Sequence, residues 1–216
     1  MPRHPRMVIP GLPHHITQRG NYRQTIFKGS EDFQRYCYWI NMYAAKYKLE
    51  ILAYCLMSNH VHFIAVPRQP DSLALTFNVA HMRYAQHVHA KEERKGHLWQ
   101  GRFFSCILQG DHLYRAIRYV EQNPVRGGIA KEAWDYRWSS AQWHVGLIST
   151  SPINLKKVTF IEDWKKYLGE SDPVMQKEIK TKTQQGLAVG EEEFITSLEK
   201  RLGRSLKCRP AGRKNK

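Results

Sequence analysis

The order of sequence patterns along this chain predicts an α+β fold, a ferredoxin-like antiparallel sheet packed with helices. Three observations favour it: short apolar or alternating runs typical of strands, long segments with apolar residues at helical spacing, and a two-residue turn between two of the runs. The predicted order is strand, helix, strand, strand, helix, strand, helix. With 216 residues, of which 42% are hydrophobic, the chain is long enough to bury a core.

The predicted elements are joined by short connections. The strands cover 14–20, 50–57, 60–66 and 102–108, and the helices cover 31–48, 72–94 and 111–123. Ser58 and Asn59 alone separate the second and third strands, which is the length of a tight hairpin connection. Ser30 and Asp111 are expected to cap the first and third helices. Pro124 ends the third helix, because a residue before proline leaves the helical region.

The chain is predicted to hold one main domain over 1–145. The segment from Gly146 to Lys156 is rich in turn residues, and two or three short helices are expected after it. The region 146–207 is therefore predicted to be a small helical C-terminal extension. Residues 208–216 are predicted to be a basic, flexible tail that orders only when it binds a partner.

Positive charge is the strongest signal in the composition. The chain has 34 Lys and Arg against 19 Asp and Glu, a net charge of +15. Residues 1–30 carry five basic side chains and no acidic one, and residues 200–216 carry eight and none. A basic excess at both ends favours a nucleic-acid partner over the alternative, a surface or tail kept soluble by charge.

Other classes of protein are disfavoured by the sequence. No apolar run approaches the roughly 20 residues of a membrane span, and the N-terminus lacks the apolar segment of a signal peptide, so an intracellular protein without a membrane partner is expected. The four cysteines occur singly, three of them within apolar patterns (Cys37, Cys55 and Cys106). Neither a zinc site nor disulfides are indicated.

The most informative local pattern is His60-Val61-His62, at the start of the third predicted strand. Side chains alternate along a strand, so both histidines leave the same face, close enough to share one metal ion. A second His-Val-His, at His87 and His89, falls within the long predicted helix, where residues two apart diverge. The alternative for His60 and His62 is that both are ordinary hydrogen-bonded histidines on a polar strand face.

A second candidate group lies in the third predicted helix. At about 100° per residue, Tyr119 and Asn123 share one flank of the buried stripe, at the edge between core and solvent. Tyr119 supplies a phenol oxygen, and Asn123 supplies an amide oxygen that, with two histidines, suits Mn²⁺ or Mg²⁺ better than a thiolate set would. The alternative is an ordinary boundary tyrosine and an asparagine that ends a helix before proline.

Five stretches in order, between about residues 15 and 140, resemble the single-tyrosine HUH transposases. They most resemble the branch of REP-associated tyrosine transposases, which are linked to repetitive extragenic palindromes in bacterial chromosomes. Two stretches carry the candidate site, Ser58-Asn59-His60-Val61-His62-Phe63 and Tyr119-Val120-Glu121-Gln122-Asn123-Pro124-Val125-Arg126. The others are His15-Ile16-Thr17-Gln18-Arg19-Gly20-Asn21 with Ile26-Phe27, Leu98-Trp99-Gln100-Gly101-Arg102-Phe103, and Trp138-Ser139-Ser140.

The resemblance implies that His60 and His62 bind Mg²⁺ or Mn²⁺, that Asn123 is the third ligand, and that Tyr119 is the nucleophile. It implies a DNA transposase that cleaves and rejoins single-stranded, hairpin-associated DNA in the bacterial cytoplasm through a covalent 5′-phosphotyrosine intermediate. The family often has histidine two residues after the tyrosine, where this chain has Glu121. Helical spacing places Glu121 on a different side of the helix from Tyr119, which leaves the core mechanism intact.

The expected partner is DNA, as a single strand or as a hairpin with a single-stranded flank, bound by a monomer or homodimer. The residues predicted to contact it are Arg19, Asn21, Gln100, Arg102, Arg204, Arg209, Arg213 and Lys214. For the first four, the alternative is ordinary surface hydrogen bonding. Two other functions stay open: a catalytically silent, domesticated palindromic-DNA-binding protein, and a metal-dependent phosphoesterase that uses water and for which Tyr119 is incidental.

Overall fold

A five-stranded sheet with helices on both faces is formed by the described residues, 6–159 and 161–206 of a computed structural model. Its strands are β1 (His14–Arg19), β2 (Leu49–Met57), β3 (His60–Pro67), β4 (Phe104–Leu108) and β5 (Ala188–Val189). The helices are α1 (Ser30–Lys46), α2 (Ser72–Lys91), α3 (Gly110–Glu121), α4 (Asn123–Arg126), α5 (Ala141–His144), α6 (Trp164–Gly169), α7 (Pro173–Gln185) and α8 (Glu192–Leu202). Two single 3₁₀ turns cover Asn21–Arg23 and Ala133–Asp135.

The strand order in the sheet is β2-β3-β1-β4-β5. The first four strands are antiparallel, and β2 and β3 form the predicted hairpin, with Met57 opposite His60. The fifth strand, β5, is parallel to β4, so the sheet is mixed. Strand β5 was not predicted, because two residues are too short to show an alternating pattern. It comes from the predicted C-terminal extension, which therefore contributes to the sheet as well as supplying helices.

Side chains that alternate along the strands divide the core into two layers. On one face, α1 and α2 pack aromatic and aliphatic residues against Tyr54 and Phe63. On the other face, α3, α6 and α7 pack against Cys55 and Ile64. This second layer is the one that places α3 and α7 beside the histidines of β3.

The predicted helix caps are not observed at the positions expected. Helix α1 begins at Ser30 itself, with Gly29 at the N-cap, and α3 begins at Gly110, before Asp111, with no side-chain cap on either. Asp32 instead folds back at the start of α1, where its carboxylate accepts a hydrogen bond from the Lys28 backbone N–H at 2.8 Å. A carboxylate in the first turn can satisfy an N–H as a cap does, so a sequence motif alone does not fix the first helical residue.

Cys37, Cys55 and Cys106 are buried in the core, as their positions in apolar patterns predict, and Cys208 lies outside the described residues. Within the part of the chain that the structure describes, no helix combines the length and apolar character needed to cross a membrane.

Candidate active site

The register between β1 and β3 sets the floor of the candidate site. Arg19 lies opposite His60, and Thr17 lies opposite His62. Directly opposed residues in an antiparallel pair share a face, so these four side chains project to the same side of the sheet. The rings of His60 and His62 are nearly perpendicular, with centroids 5.1 Å apart.

The second His-Val-His behaves differently, as its helical position predicts. His87 packs against the rings of Trp39 and Tyr84, while His89 lines a separate pocket. The two histidines of a His-Val-His motif therefore lie on one face in the strand and point in different directions in the helix.

Helix α3 holds Tyr119 above the strand histidines. Ala116, Ile117 and Val120 are fully buried against the sheet and fix the rotation of the helix. The Tyr119 ring then meets His62 edge-on, with centroids 5.7 Å apart and an interplanar angle of 88°. The Tyr119 hydroxyl has no hydrogen-bond partner among the described residues and faces a cleft.

Asn123 follows Tyr119 by one turn and lines the same cleft. Its amide nitrogen donates to the backbone carbonyls of Tyr119, at 3.1 Å, and Val120, at 2.9 Å. The amide oxygen has no donor among the described residues. The side chain thus closes the end of α3 with its nitrogen and leaves an oxygen that can bind a hard cation, so both roles considered from the sequence are sterically compatible.

The cleft that these residues share has a volume of about 850 Å³. Strands β1 and β3, the end of α3 with α4, and helix α7 surround it. Five of its lining side chains are basic and none is acidic, all within the described part of the chain: Arg19, Arg23, Arg126, Lys177 and Lys180. Such a lining favours an anionic ligand.

The predicted DNA-contact residues lie in different parts of the chain. Arg19 and Gln100 line the cleft. Asn21 lies in the turn beside it, with its backbone N–H bonded to the Leu98 carbonyl, and Arg102 lines a neighbouring pocket instead. Arg204 is half-buried after the end of α8. The predicted contacts at Arg209, Arg213 and Lys214 lie outside the described residues.

Arg126 is a site residue that the sequence reasoning did not single out. Its guanidinium lies 4.4 Å from the centroid of the Tyr119 ring and donates to the Tyr119 carbonyl at 2.8 Å. Burial raises the pKa of the Tyr119 phenol above its ordinary value, and the charges of Arg126 and Arg19 oppose that rise. Arg126 follows Tyr119 by seven residues, which in one continuous helix would place both side chains on the same face. The helix breaks at Gln122, however, so helical geometry does not predict the direction of the Arg126 side chain.

His15, on β1, was also missed as a site residue. Its Nε2 lies 2.9 Å from Nδ1 of His62, and its Nδ1 lies 2.7 Å from the hydroxyl oxygen of Thr183 on α7. Burial lowers the pKa of His15 to about 3 and that of His60 to about 4, and burial together with neighbouring positive groups holds the pKa of His62 well below its usual range. All three imidazoles are neutral at neutral pH, which is the form that binds metals.

Imidazole nitrogen and amide oxygen are donor types that suit a divalent cation. His60 Nδ1 lies 2.6 Å from the side-chain oxygen of Asn59, whose amide nitrogen donates to the Arg23 carbonyl at 3.2 Å. The oxygen can only accept, so the His60 proton is on Nδ1, and its Nε2 keeps a free lone pair. Among the described residues, no three His, Cys, Asp or Glu side chains are grouped as a metal site. The candidate ligands predicted from the sequence, two histidine nitrogens and the Asn123 amide oxygen, line the same cleft.

Glu121 points away from the cleft, as its helical position predicts. Its carboxylate accepts from the Ser140 hydroxyl and lies 2.6 Å from Nδ1 of His144. The His144 ring stacks on Trp164, with centroids 4.3 Å apart. All of this is buried, so Glu121 ties α3 to α5 and α6 and has no access to a ligand in the cleft.

Replacing Glu121 by alanine is expected to destabilise the fold. The change would leave His144 Nδ1 buried without its partner, which costs about 1–3 kcal/mol, while the Ser140 hydroxyl would keep the Tyr54 carbonyl as an acceptor at 3.2 Å. We expect the free energy of unfolding, measured by urea titration, to fall by roughly 1–3 kcal/mol. The exposed Glu193→Ala on α8 is the matched control, and equal stability of the two variants would show that the Glu121 network does not stabilise the fold.

The fold and the cleft define a class: an α+β protein in which two histidines of one strand face a tyrosine at the end of a helix. The family model described as "Transposase IS200 like" matches residues 9–123, which include His60, His62, Tyr119 and Asn123. The chain belongs to the IS200-like transposase family.

The chain also matches solved structures. One is described as a REP-associated tyrosine transposase bound to a REP hairpin; it has 21% sequence identity and a TM-score of 0.55, and the match covers 75% of this chain and 96% of that chain. The family model confirms the resemblance to the single-tyrosine transposases, and the structural match confirms the α+β fold. A proposed transposase of Deinococcus radiodurans R1 matches with 20% identity, a TM-score of 0.37, and coverage of 56% of this chain and 96% of that chain. No curated protein matches this chain.

Proposed function

We propose that this protein is a metal-dependent tyrosine nuclease and transposase that cleaves and rejoins single-stranded or hairpin-associated DNA. The observation that carries the proposal is the edge-on contact of Tyr119 with His62 inside one basic cleft that also holds His60 and Asn123. A nucleophile, a pair of metal-binding nitrogens and a phosphate-attracting lining are the parts that such a reaction needs. On this proposal the protein acts in the bacterial cytoplasm as a monomer or homodimer.

Nε2 of His60, Nε2 of His62 and the amide oxygen of Asn123 would hold Mg²⁺ or Mn²⁺. When bound there, a divalent cation polarises the scissile phosphate and stabilises the negative charge of the transition state. The other groups belong to the chain itself. Arg126 and Arg19 provide the fixed positive charge next to the Tyr119 phenol.

The proposed reaction is a transesterification. The Tyr119 oxygen loses its proton and attacks phosphorus, so that a bond from phosphorus to the tyrosine oxygen forms. The bond from phosphorus to the 3′ oxygen breaks, and that oxygen takes up a proton. The products are a 5′-phosphotyrosine link and a free 3′-OH. A second 3′-OH can attack the link and regenerate the phosphodiester without ATP, because one ester has replaced another.

The cleft favours a flexible strand over plain duplex. The Tyr119 ring is buried below the rim, so the scissile phosphate has to enter the cleft to reach its oxygen. A single strand can bend inwards, and the basic side chains of β1 and α7 lie along its path. The structural relative described as bound to a REP hairpin supports the choice of a hairpin with a single-stranded flank as the substrate.

Covalent capture of DNA tests the proposal. Purified protein and Mg²⁺ or Mn²⁺ would be mixed with end-labelled hairpin oligonucleotides from the flanks of its own gene and resolved on a denaturing gel. We expect a protein–DNA adduct with single-stranded flanks that is absent with EDTA and with fully duplex DNA. Tight binding without adduct or cleavage in any metal would instead indicate a catalytically silent DNA-binding protein.

A further inference from the structure

We propose that Thr183, acting through His15, fixes which nitrogen of His62 presents a free lone pair to the cleft. Helix α7, from the C-terminal region, would thus complete the candidate metal site. The inference rests on the proposed function, and it assigns His15 and Thr183 as positioning residues that act through His62.

The hydrogen bonds of Thr183 determine which nitrogen of His15 carries a proton. Its hydroxyl donates its single proton to the Ile179 carbonyl, 2.6 Å away and one turn earlier in α7. The Thr183 oxygen is then an acceptor for His15 Nδ1 at 2.7 Å. The Cys106 thiol, 3.1 Å from the same oxygen, has to be a donor for the same reason. His15 therefore carries a proton on Nδ1.

The protonation of His15 in turn determines which nitrogen of His62 carries a proton. His15 is fully buried, with no carboxylate among its described contacts, and a buried imidazole without a counter-charge holds one proton only. Its Nε2 is thus an acceptor, and the partner 2.9 Å away, His62 Nδ1, is the donor. A neutral His62 protonated on Nδ1 has its lone pair on Nε2. His60 reaches the same state through Asn59, so both histidines offer Nε2.

Packing holds this chain of three residues in place. The rings of His15 and His62 are nearly parallel and lie side by side, with centroids 5.1 Å apart and an interplanar angle of 10°, which places the hydrogen bond close to the plane of both rings. Thr183 is 1% exposed, and Ile179 and Met175 anchor the same helix in the core. Helix α7 lies beyond the segment 9–123 that the family model matches. On this proposal, the C-terminal region contributes Thr183, which positions a ligand of the candidate metal site.

Loss of the Thr183 hydroxyl should move the ring protons of His15 and His62 to the other nitrogen of each ring. In Thr183→Val, His15 Nδ1–H has no acceptor, which favours the tautomer with the proton on Nε2. That proton would be donated to His62 Nδ1, and the His62 proton would then occupy Nε2, the nitrogen needed by the metal. Changes to such supporting hydrogen bonds typically weaken metal binding about 10–100-fold.

Two measurements on the full-length protein test the inference. In the metal-free protein, long-range ¹H–¹⁵N spectra of labelled histidines, assigned with His62→Gln, should show His62 protonated on Nδ1. In calorimetric titration with Mn²⁺ alone, Thr183→Val should raise the Kd about 10–100-fold, and Thr183→Ser should restore the wild-type Kd. The control is Thr181→Val, two residues earlier on the exposed side of α7, which should leave the Kd unchanged.

The outcomes separate the two proposals. Wild-type binding of Mn²⁺ with an unchanged Kd in Thr183→Val, or a wild-type His62 protonated on Nε2, would overturn the role of Thr183 and leave the nuclease proposal standing. A wild-type protein that binds no Mn²⁺ would overturn both. The tautomer of the wild-type protein is informative even where Thr183→Val does not fold.

Discussion

Replacing Tyr119 by phenylalanine is expected to abolish the covalent adduct and strand cleavage while DNA binding persists. The variant keeps the ring that packs against His62 and under the Arg126 guanidinium, and it loses only a hydroxyl with no hydrogen-bond partner in the described part of the chain. Stability should change by less than about 1 kcal/mol. Removal of a nucleophile commonly costs at least about 10⁴-fold in rate, which a denaturing gel and a time course of cleavage would detect.

The matched control is Tyr38→Phe, on the exposed side of α1, which should behave as wild type. Cleavage that survives in Tyr119→Phe would identify the protein as a phosphoesterase that activates water, with Tyr119 incidental. DNA affinity, measured in parallel by a shift assay, separates a loss of chemistry from a loss of binding.

The charge around Tyr119 gives this expectation a physical basis. Burial raises the pKa of the phenol, so at neutral pH the resting side chain is protonated and a poor nucleophile. Arg126 and Arg19 act in the opposite direction, because positive charge stabilises the phenolate that forms when the proton leaves. On the proposed function, Tyr119 would thus be a poor nucleophile in the free protein and a better one once substrate and cation are in the cleft.

The parts of the site that follow from local periodicity could be predicted from the sequence. Alternation along β3 predicts that His60 and His62 share a face, and helical spacing along α3 predicts that Tyr119 and Asn123 share a flank. Both arrangements are observed, because each depends only on neighbours within one element. The hairpin is equally local, since two residues leave little choice of connection.

The contacts that depend on tertiary packing could not be predicted. His15 and Thr183 are 168 positions apart and meet only because α7 packs beside β4 and β1. His14 and His15 are adjacent histidines, and only the strand register decides that His15 faces His62. Strand β5 is equally inaccessible, because its pairing with β4 is decided by the packing of the C-terminal region rather than by its own residues.

The second large effect is expected from the histidine pair. Changing His60 and His62 together to alanine should abolish metal-dependent cleavage, by about 10³-fold or more, because a bound cation contributes several kcal/mol to stabilising charge in such a transition state. DNA affinity should fall much less, since the basic lining of the cleft stays in place. Calorimetry should show that Mn²⁺ binding is lost.

The chain provides its own control for this experiment in the second His-Val-His. The double variant His87→Ala and His89→Ala also removes two histidines, but from α2, where their side chains diverge and neither lines the cleft of the candidate site. It should bind Mn²⁺ and cleave DNA as wild type does, because what matters is the shared strand face and not the sequence motif. If the two double variants lost activity equally, or if the variant at 60 and 62 still cleaved with Mg²⁺, the metal site would have to lie elsewhere in the protein.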